Sequence, residues 1–515
     1  MSLEKTAAPP LPPPSSPDVD GLLAGIDLGS NSFRLEIGQL THGRYKRIDY
    51  LKETVRLGGG LDADGLLTED ATERGLACLA RFAERLHGFG PQQVRAVATQ
   101  TLREARNRDA FLARAQAVLG HPIEVISGRE EARLIYAGVA RLMPPSAGHR
   151  LVIDIGGRST EMILGRGRTP VVAESFQIGS VGLSMRYFPD GRFTAEGFRA
   201  AQVAAGAELE EALEVFAPGL WSEALGSSGT VGAVSQLLLA NGITDGAITP
   251  ESLRWCIEQC LRAGHVDQLQ LAGLKDDRRP VLGGGLSILY TLAIHFGIES
   301  LQPARGALRQ GVIFDLDERR SAGSDHRPVH DVRDESARQL QERFGVDIAQ
   351  AERVEQVALA LYRSVAPRAS LDARRQLRWA AALHEVGMMV SHHDHHRHSA
   401  YLLAHVDAPG FSQSEQRRLA SLVLGQRGGL RKLDEALQDE GFAWQALCLR
   451  LALLLCHARR LPTLSALTLE RAGRTAYLAW APDWDSTHPR TAFLLRQEQD
   501  AWERSGALKL VLPTR

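Results

Sequence analysis

The sequence predicts an α/β fold of two related lobes that face each other across a cleft, followed by a mainly helical region. Predicted strands alternate with predicted helices from 21 to 316, which is typical of sheets with parallel strands. Two segments of this part also open alike, each with an apolar strand, an Asp, a Gly/Ser turn and a second strand. An internal repeat of this kind indicates two lobes of related fold with a cleft between them.

The first lobe is expected at 21–140, after a Pro- and Ser-rich leader at 1–20 that is typical of disorder. Short apolar or alternating runs predict strands, and apolar residues three or four positions apart predict helices. The strands are expected at 22–28, 33–40, 94–98 and 123–126, and the helices at 68–87, 101–119 and 130–142.

The second lobe is expected at 141–318 and begins with the second copy of the repeat. Its strands are expected at 151–155, 162–165, 171–176 and 223–226, with a turn at 179–182 and helices at 194–216, 231–240 and 286–296. A charged segment without periodicity at 319–335 is the predicted linker.

The remainder of the chain is predicted to form a helical domain at 336–435 and a small C-terminal α+β domain at 436–515. Its helices are expected at 337–344, 348–365, 377–390, 414–424 and 444–459, and its β-like stretches at 464–469, 476–481 and 508–512.

The composition indicates an ordinary globular protein with 44% apolar residues and a net charge of −1. No global positive field attracts polyanions, so we expect no nucleic-acid partner, and an anionic substrate would be held by local basic clefts. An odd count of five cysteines without a CxxC fits buried thiols in a reducing cytoplasm, although Cys256 and Cys260 leave a metal pair open. We expect no signal peptide and no transmembrane segment, and peripheral association with the inner membrane stays open.

The two Gly/Ser turns are the strongest chemical signal in the sequence. Small residues after a strand let successive backbone N–H groups surround a phosphate, and the hydroxyl groups add donors. One such turn alone is usually only a turn, whereas two in the same strand–turn–strand context indicate a phosphate site. The candidate phosphate-binding residues are Ser30, Asn31 and Ser32 in the first turn and Gly156, Gly157, Arg158, Ser159 and Thr160 in the second.

Three carboxylates at the ends of the repeated strands are candidate metal ligands. Asp27 and Asp154 occupy corresponding positions, and Glu161 follows Asp154 by seven residues. Carboxylate oxygens suit Mg²⁺, which retains water ligands and bridges phosphate oxygens. The alternative is that each Asp caps its own turn.

Other candidate residues follow strands of the first lobe. Glu130 and Glu131 begin a helix, where acidic residues also suit the helix dipole, and Glu131 lies about 100° further round the helix and could face inward. A carboxylate crowded by phosphates could take a proton from water. Arg103 could bind a phosphate through two hydrogen bonds, although Arg106 nearby is more typical of a surface residue.

The second lobe offers weaker candidates for lining the cleft. Ser228 and Gly229 follow a strand, the glycines at 283–285 precede a helix, and Arg309 lies in a short Gly-bounded segment. In the helical domain, His384 and the His-rich segment 392–398 suggest a metal. However, a metal-dependent helical phosphohydrolase would need Asp where Glu385 follows His384.

Six segments together resemble the bacterial exopolyphosphatase / guanosine pentaphosphate phosphohydrolase family of the actin-like ATPase superfamily. They are GIDLGSNSFRLEIG (25–38), ATQTLREARN (98–107), ISGREEARLIYAGV (126–139), LVIDIGGRSTEMILG (151–165), GSSGTVGA (226–233) and GALRQG (306–311). The helical domain resembles that of the long family form, which is related to HD phosphohydrolases without their metal site. HRHSAYLL (396–403) favours exopolyphosphatases.

The resemblance implies two actin-like (ribonuclease H-like) lobes and Mg²⁺-assisted hydrolysis of polyphosphate, with Glu131 as general base. It also implies a homodimer whose C-terminal domains help form a basic channel. The alternatives are a pppGpp phosphohydrolase, a regulator that binds pppGpp or ppGpp without turnover, and a sugar or acetate kinase of the same fold. One departure is Arg158, which stands where the family has a small residue and could clash with a phosphate or add a cation to it.

Overall fold

The computed structural model describes residues 21–41, 43–321 and 331–513. The predicted leader at 1–20 and most of the predicted linker lie outside the described residues. The chain divides into two compact units, the first of Met1–Ile123 and Leu134–Asp317, and the second of Glu124–Arg133 and Glu318–Arg515. The helix that carries Glu131 therefore crosses the division between the units.

Two five-stranded sheets form the framework of the first unit, with strand orders β3-β2-β1-β4-β5 and β10-β9-β6-β7-β8. In each sheet, the opening strand is antiparallel to the next strand and parallel to a later one. The equal orders confirm the predicted repeat. The strands are β1 (Leu22–Leu28), β2 (Phe33–Thr41), β3 (Arg44–Glu53), β4 (Val94–Ala98), β5 (Ile123–Val125), β6 (His149–Ile155), β7 (Thr160–Arg166), β8 (Thr169–Phe176), β9 (Glu223–Ser227) and β10 (Leu301–Pro303).

Ten helices accompany these sheets, and most of the predicted ones are confirmed. Helices α5, α8 and α10 were not predicted; α5 begins inside the predicted turn at 179–182. The helices are α1 (Glu69–Arg85), α2 (Gln100–Glu104), α3 (Arg108–Leu119), α4 (Gly128–Leu142), α5 (Ser180–Tyr187), α6 (Ala195–Leu209), α7 (Ser228–Ala240), α8 (Pro250–Ala263), α9 (Leu282–His295) and α10 (Leu308–Ser321).

The single helix predicted at 101–119 is wrong, because the chain breaks between α2 and α3. Ala105 has an extended backbone. The Asn107 side chain accepts a hydrogen bond from the Leu67 backbone N–H (2.9 Å) and donates one to the Leu67 carbonyl (3.0 Å). These two bonds tie the connection between the helices to a distant loop.

The second unit is mainly helical, as predicted, and ends in a three-stranded sheet of order β11-β12-β13. Its buried apolar residues form one continuous core from Ala337 to Leu512, with no break at the predicted boundary of 435 and 436. The elements are α11 (Val332–Arg343), α12 (Ile348–Val365), α13 (Leu371–Leu383), α14 (His395–His405), α15 (Gln413–Gly425), α16 (Glu440–Leu455), β11 (Leu467–Ala472), β12 (Thr475–Trp480), α17 (Trp484–Thr487), α18 (Pro489–Ser505) and β13 (Lys509–Val511).

The helix predicted at 377–390 ends earlier than expected, at Leu383, and a 3₁₀ turn follows at Val386–Met389. The Gly387 N–H donates to Ser399 Oγ (2.8 Å), so this turn is held against α14. Within the described ranges, we find no helix with the length and apolar character needed to cross a bilayer.

Candidate active site

The structure brings the two predicted phosphate turns together in the first unit. A methyl group on Gly157 would lie 3.1 Å from Ser30 Cβ and 3.5 Å from the Asn31 nitrogen. The turn between β1 and β2 therefore packs directly on the turn between β6 and β7. This contact confirms that the two turns face each other, as the repeat predicted.

Buried polar atoms without partners surround the first turn. Among the described residues, Asn31 Nδ2, Ser32 Oγ and Thr101 Oγ1 are buried and have no hydrogen-bond partner. Such atoms are rare in folded proteins, and several in one place indicate a site that receives a polar ligand. Thr101 was not among the predicted site residues, although its hydroxyl follows β4 in the same way as the turns follow their strands.

In the second turn, Ser159 is buried, whereas the Thr160 hydroxyl already donates to the Ile178 carbonyl at 2.6 Å. The Gly156 backbone N–H donates to the Ser159 carbonyl at 2.9 Å, and this hydrogen bond closes the turn. Thr160 therefore holds the turn in shape, and its predicted contact with substrate stays a prediction.

Asp154 is a buried carboxylate whose charge the protein compensates only in part. It is buried and lies opposite Glu161 in the β6–β7 register. Burial raises the pKa of Asp154 to about 6, nearby Asp27 raises it further, and hydrogen bonds with Ser227 and Ser228 and the charge of Arg34 oppose the shift. A cation at this position would stabilise the charged carboxylate.

Asp27 differs from Asp154 because Arg34 lies opposite it and forms an ion pair with it at 3.0 Å. Glu161 is buried and accepts a hydrogen bond from Ser175 Oγ at 2.9 Å.

The residues present fit Mg²⁺ bound mainly through Asp154. In the parts of the chain that the structure describes, no group of three or more His, Cys, Asp or Glu residues could hold a metal by itself. Mg²⁺ does not need such a group, because it commonly takes one or two carboxylates and keeps water and substrate phosphate as its other ligands. Its binding here stays a prediction, with Asp154 as the best-suited ligand, Glu161 opposite it and Asp27 already paired.

A third loop, between β9 and α7, lies against the end of β6. Ser228 Oγ and Thr230 Oγ1 both donate to the Ile155 carbonyl, at 2.9 and 3.0 Å. Ser228 has a φ of 73°, a left-handed conformation that costs a non-glycine residue energy. Gly229 allows Arg278 to approach, because a methyl group there would lie 2.2 Å from Arg278 Nη2.

Arg278 and Lys52 are basic residues that the sequence analysis missed. Burial lowers the pKa of Arg278, and nearby Arg34 lowers it further. Burial and Arg278 likewise lower the pKa of Lys52, which bonds Asp277 at 3.1 Å. Crowded cations of this kind favour an anionic ligand. The sequence signal that could have identified Arg278 is the pair Arg278–Arg279 shortly before the glycines at 283–285.

Those glycines themselves have a packing role. A methyl group on Gly284 would lie 2.4 Å from the Ser180 carbonyl oxygen, so α9 packs closely on α5 through this position. They form the first turn of α9 rather than a loop before it.

Arg103 and Arg158 belong to one chain of hydrogen bonds in the first unit. Arg103 Nε donates to Gln100 Oε1 at 2.8 Å, and Gln100 Nε2 donates to Glu104 Oε1 at 2.7 Å. Glu104 Oε2 accepts a bond from Arg158 Nε at 2.8 Å. Arg309, by contrast, is bound to buried Glu36 at 2.5 Å, so its contact with substrate stays a prediction.

Glu130 and Glu131 lie together at the start of α4, and Glu130 is bound to other residues of the second unit. Both are buried at the start of α4. The Glu130 carboxylate accepts two bonds from Arg133, at 2.7 and 2.8 Å, and one from the Gly410 N–H at 2.8 Å. Glu130 therefore has a structural role, and Glu131 remains the predicted general base.

His384 and the cysteines are buried groups of the core. His384 Nδ1 donates to the Ala381 carbonyl at 2.7 Å. All five cysteines are buried free thiols, and burial raises the pKa of Cys256 to about 12. These observations support the reading of the cysteines as buried thiols.

Comparison with known proteins covers nearly the whole chain. Residues 37–320 match the Ppx/GppA phosphatase family, and residues 332–499 match domain III of Ppx/GppA phosphatases. The chain is 37% identical over 494 residues to a guanosine-5′-triphosphate,3′-diphosphate pyrophosphatase of Aeromonas hydrophila, with 94% of this chain and 97% of the relative covered.

Solved structures confirm the predicted fold of two actin-like lobes. An exopolyphosphatase from Cytophaga hutchinsonii is 24% identical with a TM-score of 0.52, and the match covers 57% of this chain and 98% of that one. An exopolyphosphatase-like protein is 25% identical with a TM-score of 0.51, and the match covers 58% and 99%. The chain belongs to the Ppx/GppA phosphatase family and is a hydrolase of phosphoanhydride bonds.

Proposed function

We propose that this chain hydrolyses the terminal phosphoanhydride bond of pppGpp and releases orthophosphate. The observation that carries the proposal is the meeting of two phosphate turns beside buried Asp154 and beside buried polar side-chain atoms of Asn31, Ser32 and Thr101 that have no hydrogen-bond partner. The Aeromonas relative, which is named for this class of nucleotide, favours pppGpp. The segment HRHSAYLL favours polyphosphate, with pppGpp as the alternative, and the comparison supports pppGpp better than polyphosphate.

In this proposal the backbone N–H groups of the two turns and the side chains of Asn31, Ser32 and Arg103 bind the terminal phosphate. Fixed donors of this kind stabilise charge on a transferring phosphoryl group without reorganisation. Glu131 accepts a proton from the attacking water. Mg²⁺ held by Asp154 would neutralise phosphate charge.

Orthophosphate release by wild type and Glu131→Gln tests the proposal, with Glu299→Gln as a control at an exposed carboxylate. We expect Glu131→Gln to lower kcat by at least about 100-fold, which matches the usual contribution of a general base. The control should keep wild-type activity. Release of no orthophosphate by wild type, with pppGpp and Mg²⁺ present, would reject pppGpp as the substrate.

Competition between pppGpp and inorganic polyphosphate decides the substrate. Both present a terminal phosphoanhydride, so the ratio of their kcat/KM values is the relevant quantity. We expect the ratio to favour pppGpp, and a ratio that favours polyphosphate would restore the preference drawn from the sequence. The homodimer and the channel for the phosphate chain are proposed from the family resemblance, and light scattering of the purified chain tests the dimer.

A further inference from the structure

Arg158 connects the two lobes of the first unit. It lies in the second phosphate turn, and its guanidinium reaches the first lobe. Arg158 Nε and Nη2 approach Glu104 Oε2 at 2.8 and 2.7 Å, and Nη1 donates to the Gly58 carbonyl at 3.3 Å. A residue that the sequence analysis treated as a contact with phosphate is therefore bound to protein groups on the opposite lobe.

The path of the Arg158 side chain depends on Gly58. A methyl group on Gly58 would lie 2.9 Å from Arg158 Cδ, 3.0 Å from Ser30 Cβ and 3.0 Å from Thr101 Oγ1. The aliphatic part of Arg158 thus crosses the first lobe beside two residues of the phosphate site. Gly59, the next residue, has nothing within 4 Å of the same position.

Hydrogen bonds extend from the Arg158–Glu104 ion pair to Arg103, a predicted phosphate-binding residue. Glu104 joins Arg158 through one carboxylate oxygen and Gln100 through the other, and Gln100 in turn accepts from Arg103. Gln100 is buried, and the Arg158 and Glu104 side chains are each only 27% exposed. Charge-assisted hydrogen bonds in such surroundings hold their geometry better than exposed ones.

We propose that Arg158 is a positioning residue: it clasps the two lobes and, through Glu104 and Gln100, orients Arg103 toward the terminal phosphate. This inference rests on the proposed function. In this inference Arg158 does not contact substrate, because its guanidinium is already paired with the Glu104 carboxylate. Removal of either member of the pair leaves Gln100 and Arg103 with less support, so both removals weaken substrate binding in the same way.

Kinetics of Arg158→Ala, Glu104→Ala and the double variant test the clasp. We expect KM for pppGpp to rise about tenfold in each single variant, kcat to change by less than about threefold, and the double variant to match the singles, since groups that act as a unit are non-additive. If Glu104→Ala leaves KM unchanged or lowers it while Arg158→Ala raises it, Arg158 binds substrate directly and the proposal is wrong. Additive effects would also overturn it.

Gly58→Ala and Gly59→Ala form a matched pair that leaves both charges in place. Gly58→Ala displaces Arg158 but also presses on Ser30 and Thr101, so it is measured in wild type and in Arg158→Ala. It should raise KM less in Arg158→Ala than in wild type, and an equal rise in both backgrounds would contradict the clasp. Gly59→Ala should behave as wild type. Calorimetric binding of inorganic triphosphate in EDTA gives a readout independent of turnover. A wild type that binds triphosphate but releases no orthophosphate contradicts only the proposed function; equal binding by wild type, Arg158→Ala and Glu104→Ala contradicts the clasp.

Discussion

Asp27 and Asp154 occupy equivalent positions in the two sheets but lie opposite residues of opposite charge. Arg34 lies across from Asp27, and Glu161 lies across from Asp154. The opposite charges of the first pair offset each other, whereas the second pair places two buried carboxylates side by side at the ends of two interior strands. A repeated backbone thus supplies one structural ion pair and one position suited to a cation.

Asp154→Asn tests the proposed metal-binding role of this carboxylate and, separately, its effect on stability. The folded-state pKa of about 6 lies above the ordinary 3.8, so the contribution of Asp154 to stability is fully present below about pH 4 and is lost as the pH rises through 6. In EDTA at pH 8 we therefore expect the variant to unfold at a higher temperature than wild type, with a gain of at most about 3 kcal/mol in unfolding free energy.

Thermal unfolding with and without Mg²⁺ measures this effect, and orthophosphate release measures activity. Mg²⁺ should stabilise wild type but not Asp154→Asn, and the variant should be inactive. Equal melting temperatures of the two proteins in EDTA at pH 8 would show that the Asp154 charge is compensated in some other way. The sequence could predict Asp154 as a ligand candidate, but burial and the neighbouring Asp27 become visible only in the folded chain.

Helix α4 carries Glu131 in its first turn, and glycines fix the position of its later turns in the first unit. A methyl group on Gly138 would lie 2.3 Å from the Ala307 carbonyl oxygen, and one on Gly311 would lie 1.8 Å from the Leu134 carbonyl oxygen. The backbones of α4 and α10 therefore meet with no room for a side chain. This contact gives the glycines of GALRQG a packing role.

Gly311→Ala should destabilise the chain by at least about 3 kcal/mol, because backbone atoms cannot yield to a methyl group as a flexible side chain would. The matched control is Gly232→Ala in α7, an exposed helical glycine with nothing within 4 Å. That variant should gain about 0.5–1 kcal/mol from helix propensity. Urea unfolding measures both, and equal stabilities would contradict the close crossing of α4 and α10.

Elements with strong periodicity were predictable, and elements set by distant contacts were not. Strands β1 and β6 were predictable because each is an apolar run that ends at a turn. Strand β3 was missed because its residues, many of them charged and none of them buried, show no clear alternation, as is common at a sheet edge. The break between α2 and α3 depends on Asn107 bonding the Leu67 backbone, a contact that apolar spacing does not encode.

At the scale of the molecule, each compact unit is built from two separate segments of the chain. The segment Glu124–Arg133 belongs with the C-terminal region, because Glu130 accepts from Gly410 and Arg129 pairs with Asp407 at 2.6 Å. Gly410 has a φ of 87°, which favours glycine, and its carbonyl accepts from Arg319. Sequence periodicity could not reveal this, since the bonds join residues far apart in the chain.

The second unit also contains three buried histidines whose protonation opposes folding. Burial lowers the pKa of His384 and His395, and burial together with Lys432 lowers the pKa of His396 to about 4. A folded-state pKa below the ordinary 6.5 stabilises the fold above pH 6.5, and for His396 this stabilisation is lost as the pH falls through about 4. Acid should therefore lower the unfolding free energy of the second unit. Over the same pH range, protonation of Asp154 removes a destabilising charge from the first unit.

His396→Gln tests whether these histidines set the acid sensitivity of the second unit. Thermal unfolding followed by tryptophan fluorescence suits this test, because most of the seven tryptophans lie in that unit. Between pH 7 and pH 4.5 we expect wild type to lose about 1–3 kcal/mol more stability than the variant, since the variant has no proton to take up at this position. His393→Gln is the control, because the His393 side chain is 94% exposed and should titrate alike in both states. A pH dependence that His396→Gln leaves unchanged would contradict the assignment, because removal of a group whose pKa differs between the folded and unfolded states must change the coupling of protons to folding.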